Sequence, residues 1–168
     1  MDDIFTSFAD IGIMLDPDWL AGLEMVHDLP LTLDDVYVAL MSSDLRTSCT
    51  CNNKLFQINS SVDISIPEGQ RPRNKSSTKR MLKLELCSGK KTVHAIEIET
   101  CTDLSDEPDA GTKILVTGSP LVSNGLVFLT PANIKVIGGQ VNELMILQKQ
   151  RNDQRIKARD PLKCPIGD

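Results

Sequence analysis

The apolar positions recur at helical spacing for about the first fifty residues and then switch to alternation, which predicts a helical head followed by a β body. Asp16-Pro17-Asp18 reads as a helix start, Asp capping and Pro pre-set at the first helical position. Trp19, Leu20, Leu23 and Val26 follow on one face. Thr32 caps a second helix, with Asp35 three residues on, and Leu33, Val36, Tyr37 and Leu40 share its apolar face up to Met41. Ile4, Phe5, Phe8 and Ile11 predict another short helix in the first twelve residues. Polar turn formers over residues 48–54 mark the boundary between head and body.

Beyond that boundary, Leu55 to Asn59 and Val62 to Ile66 read as one long strand with a bend near Ser60-Ser61. Met81 to Leu86 alternates, turns at Ser88-Gly89 and pairs with Thr92 to Glu99. Lys113 to Thr117 is a further strand, followed by Gly118-Ser119-Pro120 and a tight reversal at Asn124-Gly125, the dipeptide that best supplies two positive φ angles. Leu126 to Leu129 follows at once. The chain bends at Thr130-Pro131, resumes over Ile134 to Ile137 and stops at Gly138-Gly139, where a strand can hand over to a helix. That helix is predicted from Gln140 to about Arg151. Five strands with a connection between the third and fourth meet the requirement of a small OB-fold barrel. The predicted class is therefore mainly β with a helical head: residues 1–50 as a helical subdomain packed on a five-stranded OB-fold barrel over 51–147 with a closing C-terminal helix, and 148–168 as a basic linker or tail.

Order and spacing carry a family resemblance. Gly111-Thr112-Lys113 with its apolar run, Asn124-Gly125 with its apolar triplet, the segment from Asn133, and Gly138-Gly139 before a short helix resemble the end of the OB-fold shared by RecQ-mediated genome instability protein 1 and Tudor domain-containing protein 3. Asp44-Leu45-Arg46-Thr47 and Arg80-Met81-Leu82-Lys83-Leu84 look closer to the Tudor-protein branch. The resemblance covers roughly residues 12–147. It implies a non-catalytic accessory subunit that binds topoisomerase III, the beta form favoured, and stimulates strand passage, at work in nucleus and cytoplasm. The close alternative it implies is a subunit of a RecQ helicase and topoisomerase III alpha complex that processes recombination intermediates. It also implies downstream domains, among them a methylarginine-reading Tudor domain, for which this chain would be a fragment.

Charge placement sharpens the partner question. The net charge is −5, yet residues 1–45 hold ten Asp or Glu and no Lys or Arg, whereas 67–80 carry five basic residues against one Glu. The tail from Gln148 to Lys163 is basic again, so at least two surfaces of opposite sign are expected. The loop at 67–80 exceeds the two to five residues a hairpin needs. Lengthening a loop costs only about 0.6 kcal/mol per doubling, so a tolerated insertion is one reading. The other is that Arg71, Arg73, Lys75 and Lys79 reach a partner; the resemblance favours this, since the family's loop at this position enters the central opening of a type IA topoisomerase.

No residue pattern points to catalysis, a metal or a cofactor. His27 and His94 stand apart from any nucleophile, Cys49 and Cys51 lack a second ligand pair, and Gly138-Gly139 lacks the Lys-Ser/Thr of a phosphate loop. Five cysteines without framework spacing are expected as reduced thiols, no apolar run reaches membrane-span length, and the acidic N-terminus is unlike a signal peptide. These features set the expectation of an intracellular protein with no enzyme activity, small-molecule substrate or membrane contact. A single-stranded nucleic-acid binder is the rival from another class. However, stacking supplies about 1–3 kcal/mol per base, and the barrel region offers only Phe56 and Phe128 as aromatics, leaving weak contact through the basic loop and tail. A protein partner fits better: Leu121, Val122 and Leu126 flank a turn that could have been polar, with Ile96 and Ile98 on the third strand. Alternation leaves open which of these face the core and which face outward.

Overall fold

The computed structural model describes residues 2–27, 30–50, 54–65 and 79–159. Four helices form the head: α1 (Asp2–Asp10), α2 (Pro17–Val26), α3 (Leu33–Ser42) and α4 (Leu45–Ser48). Local chemistry sets their starts. The Asp16 carboxylate accepts from the backbone N–H groups of Asp18 and Trp19, and Pro17 occupies the first turn. Thr32 and Asp35 complete a capping box: Thr32 Oγ1 accepts from the Asp35 N–H at 3.2 Å, and the Asp35 carboxylate accepts from the Thr32 N–H at 2.9 Å. The head buries Ile4, Phe8, Ile13, Leu15, Leu20, Val36, Leu40 and Leu45, and this cluster includes Leu55 and Cys87 of the β body.

The body is one sheet of seven strands, β1 (Leu55–Asp63), β2 (Leu82–Ser88), β3 (Lys91–Glu97), β4 (Lys113–Val116), β5 (Val122–Ser123), β6 (Leu126–Leu129) and β7 (Ile134–Gly138), ordered β5-β6-β3-β2-β1-β4-β7. Five strands were expected; the last is split and preceded by a two-residue partner. β6 runs parallel to β3, and β7 pairs with β4. Between β6 and β7 lies only a turn at 130–133, in which the Asn133 N–H donates to the Thr130 carbonyl at 3.1 Å. Asn133 Oδ1 accepts from the Thr130 N–H, and its Nδ2 donates to the Phe128 carbonyl. Pro131 supplies the preset φ that such a turn favours at its second position. One continuous stretch thus joins opposite ends of the strand order and curls the sheet into the OB-fold barrel.

The expected bend in β1 is a bulge between Ile58 and Ser60. It flips the alternation: Phe56 and Ile58 point into the barrel before it, Ser60 and Val62 outward after it. The β5–β6 reversal sits at Asn124 and Gly125, with φ of 51° and 76°. The barrel core gathers Ile58, Leu82, Leu84, Leu86, Ala95, Cys101, Leu104, Ile114, Val116, Leu129 and Ile134.

The closing helix α5 spans Asn142–Arg159. The sequence reading ended it near Arg151 and treated 148–168 as a linker; the helix instead runs two turns further. Residues 148–159 are mostly Gln, Arg, Lys and Ala, strong helix formers that need no buried face to propagate an existing helix.

Candidate partner-binding surface

The head packs on one half of the barrel's outer wall, and among the described residues the other half is left uncovered. On β1, β2, β4 and β7 the outward residues Leu55, Cys87, Leu115 and Ile137 pack into the head's cluster. A polar network secures the junction. The Asp44 carboxylate caps α4, accepting from the Arg46 N–H at 2.9 Å and from the Arg46 guanidinium at 2.7 Å. It also accepts from Gln57 Nε2 at 3.0 Å, while Gln57 Oε1 accepts from the Leu45 N–H. Burial opposes the charge on Asp44, but the hydrogen bonds from Arg46 and Gln57 outweigh it and hold its carboxyl below the ordinary range. Asp44 thus ties the head to the barrel through Gln57, with Arg46 holding its carboxylate in place. Lys113, wholly buried, donates from Nζ to the Ser43 carbonyl at 2.7 Å. Burial pulls its ammonium down to about 8 against the attraction of Asp44.

On the other half the strand register decides which side chains face out. Leu126 pairs with His94 and Phe128 with Ile96 across β6 and β3. Their neighbours Val127 and Leu129 belong to the interior, whereas neither core cluster takes in Leu126, Phe128 or Ile96. The Phe128 N–H donates to the Leu121 carbonyl, and Ile96 pairs with Lys83 on β2, giving the outward row Leu121, Phe128, Ile96, Lys83. Two residues beyond the last pair of β2 and β3 lie Met81 and Ile98, and the Ile64 N–H donates to the Met81 carbonyl, which adds a second row of the exposed Ile98, Met81 and Ile64 at that end of the sheet. Leu121 is 68% exposed and Ile98 47%. Val122 pairs with Val127, so it lies in the inward series, but as the end of the sheet it is still 58% exposed.

The residues singled out from sequence therefore separate. Leu121, Leu126 and Ile96 come together on one face, with Val122 at its margin. Phe128, Met81 and Ile64 join them unforeseen; the alternation signal was present, but a bulge or a turn has to be placed before parity can be assigned. Lys79 is exposed at the foot of the 67–80 loop, and Arg71, Arg73 and Lys75 lie outside the described residues. The loop leaves the sheet where β1 ends and β2 begins, the same end that carries both apolar rows.

Arg80 at the loop's foot is a structural residue. Its guanidinium grips Glu97 at 3.1 and 3.2 Å, Asp106 at 2.6 Å, and the carbonyls of Cys101 and Leu104. Glu97 is 1% exposed and also accepts from the N–H groups of Leu82 and Cys101. Burial works against the Arg80 charge, but these carboxylates outweigh it and raise its pKa. The network clamps the β3–β4 connection against the start of β2. Gln148 of α5 pins the same connection, accepting from the Ala110 N–H and donating to the Pro108 carbonyl.

Among the described residues no cluster of His, Cys, Asp and Glu could hold a metal, and no helix is long and apolar enough to cross a membrane. Cys49, Cys87 and Cys101 are buried and outside any disulfide; desolvation pushes Cys87 and Cys101 up to about 11, far from a reactive thiolate.

Comparison with known proteins agrees with this architecture. The family described as "RMI1, N-terminal OB-fold domain" matches residues 39–152. RecQ-mediated genome instability protein 1 of Mus musculus is 32% identical over 126 residues, 62% of this chain and 20% of that protein. The Xenopus laevis protein of that name is 28% identical over 138 residues, 67% of this chain and 25% of its own length. Tudor domain-containing protein 3 of Xenopus tropicalis is 33% identical over 91 residues, 54% of this chain and 12% of the relative. The chain thus spans a quarter or less of the length of these relatives. It belongs to the RMI1 N-terminal OB-fold family.

Proposed function

We propose that the bare half of the barrel is the seat of a protein partner, that this partner is topoisomerase III with the beta form favoured, and that the 67–80 loop tunes its strand passage. The observation carrying the reading is positional: two apolar rows, Leu121-Phe128-Ile96 and Ile98-Met81-Ile64, lie at the end of the sheet from which the basic loop departs. A contiguous exposed apolar patch on an otherwise charged protein fits a protein interface better than an aqueous surface. Phe128 is the aromatic anchor of the kind that dominates binding energy. A partner gripped by this patch would have the loop beside it, and the loop shifts a gate between open and closed only by its differential affinity for the two states. The loop therefore sets rate more than affinity. The work of such a subunit falls in nucleus and cytoplasm.

A second reading is favoured by the names of the relatives, several of which are RecQ-mediated genome instability proteins. It makes the same surface part of a RecQ helicase and topoisomerase III alpha complex. Capture of purified topoisomerase III alpha and beta by residues 1–168, with Leu126→Asp in parallel, separates the two. Preference for beta, lost in the folded variant, supports the first; preference for alpha supports the second. Capture of neither enzyme, or undiminished capture by a folded Leu126→Asp protein, removes the proposal. Deleting residues 69–78 should leave capture intact and reduce stimulation of strand passage, and equal stimulation would remove the loop's role.

A further inference from the structure

We infer that the distal half of α5 is a docking surface for the phosphate backbone of a nucleic-acid strand. The helix is anchored by its first two turns. Val141 is buried, Leu144 and Met145 are half-buried, and Gln148 clamps Pro108 and Ala110. The side chains of residues 149–157 are all exposed, so the helix leaves the body of the protein just after Gln148. The series 141, 144, 145, 148 continues at helical spacing through Arg151, Asn152 and Arg155. The face that docks on the barrel in the first turns is therefore cationic in the last ones, and among the described residues none covers it.

Among the described residues the charge is not matched. Lys149, Arg151, Arg155 and Lys157 stand against a single Asp153 over this stretch, and among the described residues none of the four makes an ion pair. Complementing the helix dipole explains basic residues in the last turn only, because that effect fades within a turn. It accounts for Lys157 but not for Lys149, Arg151 and Arg155. An apolar groove on another protein is a poor fit, since Ile156 is the one large hydrophobic residue in the overhang. Arg151 and Arg155 are four residues apart, about 6 Å along the axis, which presents two guanidinium groups in line to a regularly charged polymer. The surface carries no aromatic platform, so it reads charge and spacing without base identity. This surface is separate from the apolar rows on the barrel and does not depend on which protein occupies them.

The test is fluorescence anisotropy of a labelled oligo-dT strand with the 168-residue chain, from about 50 to 200 mM salt, beside Arg151→Gln/Arg155→Gln and Lys149→Gln/Lys157→Gln variants. Glutamine keeps helix propensity, and circular dichroism checks that α5 is intact. The expected slope of log affinity against log salt is about −0.7 for each phosphate contact, so each double variant should flatten it by about 1.4. Binding that is absent at the lowest salt, or unchanged in both folded variants, overturns the inference. So does equal competition by poly-glutamate of matched charge, which would make the ligand an acidic peptide.

Discussion

Lys113 Nζ lies 2.7 Å from the Ser43 carbonyl, so a strand of the barrel caps the last turn of a head helix with a buried ammonium. The contact is favoured by the negative end of the α3 dipole and by nearby Asp44, and opposed by the cost of removing the charge from water. With a folded pKa of about 8 against an ordinary 10.5, the unfolded chain holds this proton more firmly.

That difference has a sign that can be measured. Below pH 8 the whole penalty of burying the ammonium is present; from 8 to 10.5 stability rises as the folded state sheds its proton first. A depression of this size corresponds to about 3 kcal/mol. Cys87 and Cys101, raised to about 11, act in the opposite direction and cost stability above pH 9. Urea unfolding of wild type and Lys113→Met at pH 7 and pH 10 isolates the lysine, because both proteins keep the thiols. Wild type should gain on the variant by roughly 2 kcal/mol between the two, and a pH-independent difference would contradict the assignment.

The two phenylalanines of the barrel should behave oppositely. Phe56 packs against the interior, and Phe56→Ala is expected to cost about 3–5 kcal/mol. Phe128 lies on the outer face, and Phe128→Ala should cost about 1 kcal/mol while weakening partner capture. Denaturation of both variants checks this; equal losses would mean that the parity of β6 is inverted.

Glu97 is satisfied by Arg80 and two backbone N–H groups in a dry setting. Arg80→Ala strands its carboxylate, and breaking a buried pair from one side typically costs about 3–5 kcal/mol. Thermal and urea melts should show that loss, with increased hydrogen exchange over residues 98–112; a change under about 1 kcal/mol would argue against the clamp.

Three glycines offer a graded comparison. At Gly139, φ is +82° and an added Cβ would sit 2.5 Å from the Met41 carbonyl oxygen, so Gly139→Ala meets both strain and a backbone collision. Gly138 has φ of +104° with nothing within 4 Å, so Gly138→Ala bears the strain alone, about 1–2 kcal/mol. Gly22, in α2 with open space around it, should stabilise on conversion to Ala by about 0.5–1 kcal/mol. Unfolding midpoints should rank Gly22→Ala, wild type, Gly138→Ala, Gly139→Ala from most to least stable.

By itself the sequence determined the local pieces. Asp16-Pro17 and Thr32 with Asp35 set helix starts because caps act over three or four residues. Asn124-Gly125 set the β5–β6 reversal because only certain residues accept positive φ, and alternation marked the strands because the pleat has period two. The order of these pieces carried the family. Only the tertiary structure decided which face each strand turns outward, since the bulge after Ile58 and the turn at 130–133 each reset parity in a way that no local pattern encodes. It decided likewise that Lys113, an ordinary charged residue in its strand, is buried under Ser43, and that Gln57 and Gln148 bridge elements 12 and 38 residues away in sequence. Contacts of that separation depend on how the head and α5 dock on the barrel wall. That same docking left the Leu121-Phe128-Ile96 half of the wall uncovered.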